Sequence, residues 1–593
     1  MGMAQKLFLE KKRECKTALH EVHFLTYLRN TYSLNAIDFT LAKSLLKKFP
    51  KNEAVLILLC HLSLAARNGH LLLKCENGEI LPSVKSLWLK EAEILSEDLK
   101  KLEKLVLEGF KEIMENPVFE ELFSKEEKQF FSGYLCKTKN RLYFQRYFVL
   151  EQSVIKRLKI LMNQEPALKI NSDKIRLKAF DLEEQGKLLK SQAASLLTAA
   201  VKSVMILSGG PGTGKTYTAG FLIEALLEAT GENGMKIAAA APTGKAAANL
   251  QRSLSRFLKG SFKAKTLHSL LGIKENRKKM EASEKMIDAD LILVDEASMI
   301  DISLMDKLLT AIRPGSRLIL LGDPYQLPSV EAGSVFADFI ALLPENSAHL
   351  SKCMRAELQE IVDFAKAINE GESNKALNML KSGRAVSLAK EEFSQESILE
   401  HVSLHFPLFF NPSSSPDEIL DAFNQFRMLS PIRKGLFGVD ALNAYFFERL
   451  VLPHLEKKSV MLPIMLQQNS SKLDLFNGET GVLVLHPART AGLKQGDFAL
   501  FPDKEKGFRK IPALLLPRYE YAYCLSVHKA QGSEFGHVLC ILADGAEYFG
   551  RKVLYTAVTR AKKKLEIFGS VKTIEKTILE KGERLSGLAT QWK

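Results

Sequence analysis

The sequence predicts an α/β protein with two parallel-sheet units, a helical N-terminal region and a small β insert. Three observations predict it. From Val204 onward, short apolar runs end in Gly-rich or acidic turns and lead into helical patterns, as at Val204 to Leu207, Ile237 to Ala241, Leu291 to Val294 and Leu318 to Leu321. Strand, loop and helix in alternation build a parallel sheet, because parallel neighbours need a crossover long enough to hold a helix. The pattern resumes at Ala522, with strands at His537 to Leu542 and Leu565 to Phe568. Between the two stretches, NGETGVLVL, QGDFALF and KIPALLL read as short strands with glycine turns.

In chain order, residues 1–160 read as helical, since Leu, Phe and Ile recur at three- and four-residue intervals among Lys and Glu and strand patterns are scarce. Residues 161–350 form the first α/β unit, entered through the charged stretch Lys169 to Lys190. The second unit begins over 351–460, is interrupted by the β insert at 461–520 and is completed by 521–593. A chain of 593 residues exceeds one ordinary domain and can bury a core that needs no disulfide or metal staple.

Lysine and arginine outnumber aspartate and glutamate by 83 to 69, a net charge of +14. That excess is the electrostatic footprint of a polyanion binder, a nucleic acid or an anionic membrane. The seven cysteines, Cys15, Cys60, Cys75, Cys136, Cys353, Cys524 and Cys540, include no C-x-x-C pair, which argues against zinc or iron–sulfur centres and fits reduced thiols. The longest apolar stretch, Ala54 to Ala66, is short for a membrane span and contains His61, so it reads as a buried core helix. The N-terminus carries charge where a signal peptide needs an apolar run, and Lys6 stands where a lipidation signal needs serine or threonine. The expectation is a cytoplasmic protein.

Gly209-Gly210-Pro211-Gly212-Thr213-Gly214-Lys215-Thr216 fits G-x-x-x-x-G-K-[ST] between an apolar strand and a helix. Glycines let backbone N–H groups turn inward around phosphate oxygens, and the helix N-terminus adds partial positive charge. Lys215 is expected on the β- and γ-phosphates of ATP, and Thr216 in the shell of Mg²⁺. The strand Leu291 to Val294 then delivers Asp295 and Glu296, the first to hold Mg²⁺ and the second to deprotonate the attacking water. Together these motifs specify NTP hydrolysis or phosphoryl transfer without saying what the energy does.

Reading onward, the chain resembles the superfamily 1 helicases motif by motif over about 190–570, and within them the RecD family, whose members run 5′ to 3′ along single strands. That resemblance implies two RecA-like P-loop domains and an SH3-like β insert, the latter resting on Asn477-Gly478-Glu479-Thr480-Gly481. It makes Gln192 the adenine-reading glutamine and Gln326, in Gly322-Asp323-Pro324-Tyr325-Gln326, the γ-phosphate sensor. Arg355 of LSKCMR and Arg560 of LYTAVTRAK become guanidinium fingers from the second domain. Thr243 and Lys245 of APTGKAA, Thr266 and His268 of TLHSLLG, and Ser526, His528 and Lys529 of SVHKAQGSEF are implied nucleic-acid contacts. Gln531, Gly532 and Glu534 are implied to look toward the nucleotide. The charged segment from about Ile273 to Met286 stands where the family places a strand-separating hairpin. Departures are Ser526 for a usual threonine, Met354 where an aromatic is frequent, and Tyr325 at a variable place; none removes a group the chemistry needs.

Toward the N-terminus the resemblance loosens to Asn68-Gly69-His70 and RLYFQRYFVLEQ. RecD-type chains are either free-standing helicases with N-terminal helix-hairpin-helix repeats or shorter alpha subunits of exodeoxyribonuclease V. The first 190 residues show no glycine-centred hairpins, so the expectation is the subunit, bound to RecB- and RecC-type partners and to 5′-ended single-stranded DNA, with any nuclease in the partners. The alternatives are a free-standing DNA or RNA motor of the same superfamily, and an ATP-binding structural subunit that does not translocate.

Overall fold

The strands of the first unit are apolar throughout because both of their faces are covered. In the computed structural model, Val204–Gly209, Leu291–Val294 and Arg317–Gly322 are buried at every residue. Alternate residues go to opposite sides. Ile206, Ile292 and Leu320 join one core, while Leu207, Leu293 and Leu321 join another. Two-sided burial is what makes a strand read as an unbroken hydrophobic run. The structure describes residues 34–88, 96–123, 126–127, 130–131, 133–230, 234–258, 262–273, 286–353, 359–405, 414–455, 457–470, 472–487, 493–503 and 507–592. Arg355, Met354 and most of the segment expected as a strand-separating hairpin lie outside them.

The first lobe is a six-stranded parallel sheet in the spatial order Ser347–Leu350, Val204–Gly209, Arg317–Gly322, Leu291–Val294, Ile237–Ala241 and Lys265–Thr266. The second is a five-stranded parallel sheet ordered Val386–Lys390, Ala561–Phe568, Phe535–Ile541, Phe426–Ser430 and Cys524–Ser526. Its first strand was not expected, and neither was its fourth. The fully buried Arg427 stands in it, held by the carbonyls of Phe423 and Ala522 with its guanidinium over the Phe535 ring. The insert is a five-stranded antiparallel sheet from Val460 to Tyr521.

The structure adds to two expectations. The N-terminal region is not only helical. Beside the helices Glu53–Arg67 and Ser96–Glu115 it holds a four-stranded antiparallel sheet ordered Glu79–Leu81, Leu72–Glu76, Arg141–Phe144 and Leu135–Thr138. Asn77 and Gly78, at φ 51° and 80°, make the turn of one hairpin, and Asn-Gly between two short runs is the sequence signature of such a turn. Nor does the second lobe keep the end of the chain. Past the helix Val571–Leu579 the chain returns to the first lobe, where Leu588 is fully buried in the core that contains Val294 and Phe336. A single leucine at the end of a polar stretch carries no periodic signal of that docking.

The helix Glu53–Arg67 is the expected core helix. His61 within it is fully buried between the Trp88 indole N–H and the Pro82 carbonyl, and burial lowers its pKa to about 4, so it is neutral. Among the described residues no helix is long and apolar enough to cross a membrane.

Candidate functional site

The phosphate loop leaves its strand at Gly209 and enters the helix Lys215–Thr230. Gly212 and Gly214 hold φ of 72° and 81°, a backbone that side chains rarely adopt. Lys215 Nζ donates to the carbonyls of Gly209 at 2.7 Å and Gly210 at 3.0 Å, and Thr213 Oγ1 donates to Gly210 O. Gln192 lies beneath the loop, 1% exposed. Its amide nitrogen donates to Thr213 O at 3.1 Å, and its oxygen accepts the Leu189 N–H at 2.8 Å. Those bonds leave the amide one donor and one acceptor, so in this geometry Gln192 supports the loop.

The acidic pair arrives on the strand two places away. Thr216 Oγ1 donates to Asp295 Oδ2 at 3.2 Å, and the Glu296 N–H donates to Asp295 Oδ1 at 2.8 Å. A hydroxyl and a carboxylate side by side at the foot of a phosphate loop are the hard oxygen donors that suit Mg²⁺, which takes few protein ligands and completes its shell from phosphate and water. Glu296 sits at φ 52° and ψ 40°. A left-handed glutamate costs free energy that the surrounding structure must offset, and such residues gather at functional sites. Burial raises the pKa of Glu296, and the neighbouring Asp295 carboxylate raises it further, while Arg560 and Lys215 pull it down. Burial likewise raises Asp295, against the Glu296 N–H and the charge of Lys215.

The charge of Arg560 thus acts on the carboxylate that would handle water. Arg560 is 3% exposed and is aimed by the carbonyls of Thr556 and Ser533 and the hydroxyl of Thr559. Other bonds cross between the lobes. The Tyr555 hydroxyl donates to Asp323 Oδ2 at 3.0 Å, the Leu327 N–H to Thr556 Oγ1 at 2.8 Å, and the Gln531 amide to Leu327 O at 2.7 Å. Burial and the Asp323 carboxylate raise the Tyr555 pKa well above that of an ordinary tyrosine, so the hydroxyl stays a donor. Gln326 donates to the same Asp323 at 3.2 Å, and its buried Oε1 takes no hydrogen bond among the described residues. A cavity of about 220 Å³ opens beside the loop, between Gly210, Pro211 and Thr213 of one lobe and Glu534 and Tyr555 of the other, with Tyr325 and His349 on its walls.

The expected nucleic-acid residues sit at the carboxyl ends of strands in both sheets, where open α/β sheets bind ligands. Thr243, Thr266 and Ser526 share one role, each hydroxyl accepting a backbone N–H of the turn it begins, from Ala246, Ser269 and Lys529. Asn249 donates to the Gly532 carbonyl at 3.2 Å, tying the APTGKAA helix of one lobe to the SVHKAQG loop of the other. Gly532 thus faces Thr243 and Ala246, and Gln531 faces Leu327; of the three residues expected at the nucleotide, only Glu534 lines the cavity. Lys245 reaches solvent, yet its surroundings push its pKa down to about 8, through burial first and then Arg427, Lys562 and Arg560. His268 is exposed, Lys529 pairs with Glu520, and His528 opens onto a separate cavity against Asn68 and Pro82 of the N-terminal domain. Asp323, Tyr555 and Thr556 lie inside recognisable motifs, but the sequence does not mark their role, because the bonds that define it cross to the opposite lobe.

Residues 187–391 match the family described as AAA domain and residues 521–567 that described as UvrD-like helicase C-terminal domain. The RecBCD enzyme subunit RecD of Mycolicibacterium smegmatis is 32% identical over 470 residues, 75% of this chain and 81% of that one. The RecBCD enzyme subunit RecD of Buchnera aphidicola subsp. Schizaphis graminum is 24% identical across 94% of this chain and 99% of its own. The crystal structure of Bacteroides Pif1 bound to ssDNA is similar at 17% identity and a TM-score of 0.39, over 65% of this chain and 93% of that one. At 32% identity across 81% of a RecD subunit, the chain belongs to the RecD family of superfamily 1 ATP-dependent DNA helicases.

Proposed function

We propose that this chain translocates 5′ to 3′ on single-stranded DNA as the motor subunit of a RecBCD-type complex in the cytoplasm, with RecB- and RecC-type partners supplying any nuclease. The observation that carries the motor reading is the seam, where Asp323 and Leu327 of one lobe bond Tyr555, Thr556 and Gln531 of the other and the charge of Arg560 acts on Glu296 across it. The subunit reading is supported by the similarity to RecBCD subunits, which with the Buchnera chain extends over 94% of this one.

In this reading Lys215 and the loop N–H groups bind the β- and γ-phosphates, while Thr216 and Asp295 hold Mg²⁺, which screens charge on the phosphates when bound. Glu296 takes the proton of the attacking water, Gln326 registers the γ-phosphate, and Arg560, with Arg355, stabilises charge on the transferred phosphoryl group. Because the two halves of this chemistry sit on different lobes, closure follows triphosphate and opening follows hydrolysis. A strand held by residues of both sheets, Thr243, Lys245, Thr266 and His268 on one and Ser526, His528 and Lys529 on the other, is stepped by that cycle. The antiparallel sheet from Val460 to Tyr521 is, in this reading, the SH3-like insert.

The test is unwinding of duplexes carrying a 5′ or a 3′ overhang, by the wild type and by Lys215→Gln, with strand-stimulated ATP hydrolysis measured in parallel. Unwinding from the 5′ overhang alone, lost in the variant while strand binding persists, is the expected result. Equal unwinding from 3′ overhangs overturns the polarity, and near-normal turnover in Lys215→Gln overturns the site. Isolation of the protein from its own cells with no RecB- or RecC-type chain attached favours the free-standing motor.

A further inference from the structure

Asn68-Gly69-His70 and the stretch RLYFQRYFVLEQ have no part in the chemistry above, yet both end at one place. The Leu71 N–H donates to Leu585 O at 2.9 Å, and the Leu585 N–H donates to His70 Nδ1 at 3.1 Å. Glu151, buried, accepts the Gly587 N–H at 2.6 Å and the amide of Gln591. Both N-terminal stretches therefore receive the segment 580–592, which continues from the second lobe.

That segment also holds the first lobe. Arg584 Nη1 donates to the carbonyls of Ser329 at 2.6 Å, Glu331 at 2.9 Å and Gly333 at 3.3 Å, and the Gly333 N–H donates to Gly69 O at 3.0 Å. Those carbonyls belong to the loop that continues from Gln326. Gly69 is at φ 89°, and a Cβ there would come within 2.2 Å of the guanidinium carbon, so Arg584 fits only against a glycine. The two N–H groups of Nη1 are shared among these three carbonyls, which gathers them around one cationic nitrogen and so holds the path of the loop. The loop's other end is tied to the second lobe by Tyr555 and Thr556.

We propose that Arg584 is a positioning residue for the γ-phosphate-sensing loop, and that the N-terminal domain and the segment 580–592 form with it a clasp that keeps Gln326 in register. The inference rests on the reading of Gln326 as sensor. A ligand of the N-terminal domain then has a route to the motor through this clasp, because Gly69 bonds Gly333 of the loop directly and His70 bonds Leu585 beside Arg584.

The test uses the full chain with Arg584→Met, Arg584→Lys, Gly69→Ala, the double variant Arg584→Met with Gly69→Ala, and Gln326→Ala. The readouts are kcat and KM for ATP under saturating single-stranded DNA, with thermal midpoints for each. Arg584→Met is expected to lower kcat about tenfold with KM within about twofold, the size of effect seen for residues that act through a coupled element. Arg584→Lys, which keeps a donor near the three carbonyls, recovers part of that loss. Gly69→Ala displaces the same guanidinium and reproduces it, and the double variant is no worse than the single ones, as for residues sharing one pathway. A lowered thermal midpoint with unchanged kcat in the folded protein, or losses that multiply in the double variant, overturns the clasp. If Gln326→Ala itself leaves kcat unchanged, the sensor reading has failed instead. If Arg584→Met does not fold, Arg584→Lys and Gly69→Ala carry the same kcat comparison.

Discussion

The two parallel-sheet lobes differ in where their functional loops find their hydrogen bonds. In the first lobe the phosphate loop is satisfied at home. Lys215 and Thr213 bond loop carbonyls, Thr216 bonds Asp295, and Gln192 bonds Thr213 from beneath. In the second lobe Tyr555, Thr556 and Gln531 bond the other lobe. A site complete in one lobe can bind whether or not the lobes meet. A site that needs the seam reacts only when they do. Nucleotide affinity should therefore belong to the first lobe and turnover to the pair, which is the division a motor requires.

The sharpest way to break this comparison is Arg560→Ala. Removing a guanidinium finger is expected to cost on the order of 10³ in kcat, while affinity for a fluorescent ATP analogue changes only a few-fold. A parallel collapse of affinity and turnover would show that binding too depends on the second lobe. Tyr555→Phe is a milder probe of the same seam. It deletes one bond to a buried carboxylate, of the kind worth about 1.5–3 kcal/mol, so a fall of at least about tenfold in kcat is expected. Asp323 keeps its bond from Gln326, so the variant should fold, with a thermal midpoint lowered by no more than a few degrees. An unchanged kcat in Tyr555→Phe would leave the seam as packing alone.

The same contrast explains what could be read from the sequence. Strands such as Leu291–Val294 are buried on both faces and announce themselves as apolar runs, and the phosphate loop is one contiguous stretch whose chemistry follows from its spacing. Phe426–Ser430 hid because Arg427 interrupts it, and that arginine is tolerated only because two carbonyls and the Phe535 ring enclose it. The N-terminal hairpins hid in short strands, although Asn77-Gly78 marked one of them. Arg584 could not be found at all, since its partners are main-chain carbonyls some 250 positions away, and backbone partners leave no mark on residue identity. Local chemistry is legible in sequence; contacts across a seam or to backbone are not.

Lys245 gives the smallest expected effect and the finest test, because it belongs to the first lobe but titrates in the field of the second. Burial is the largest cause that brings its pKa down to about 8, and Arg427, Lys562 and Arg560 on the far side of the seam lower it further. The ammonium is charged below that value and loses its charge as the pH rises through it. A strand phosphate favours the charged form, so binding is accompanied by proton uptake near pH 8 and the affinity falls above it. Fluorescence anisotropy with an oligonucleotide at fixed salt is expected to show weaker binding at pH 9 than at pH 7, with the salt slope reduced by about one contact. Lys245→Arg, whose side chain stays protonated throughout, should bind equally at both. An equal loss in Lys245→Arg would place the titrating group elsewhere. A flat profile in the wild type would mean that Lys245 does not touch the strand, or that the second lobe stands too far off in solution to press on it.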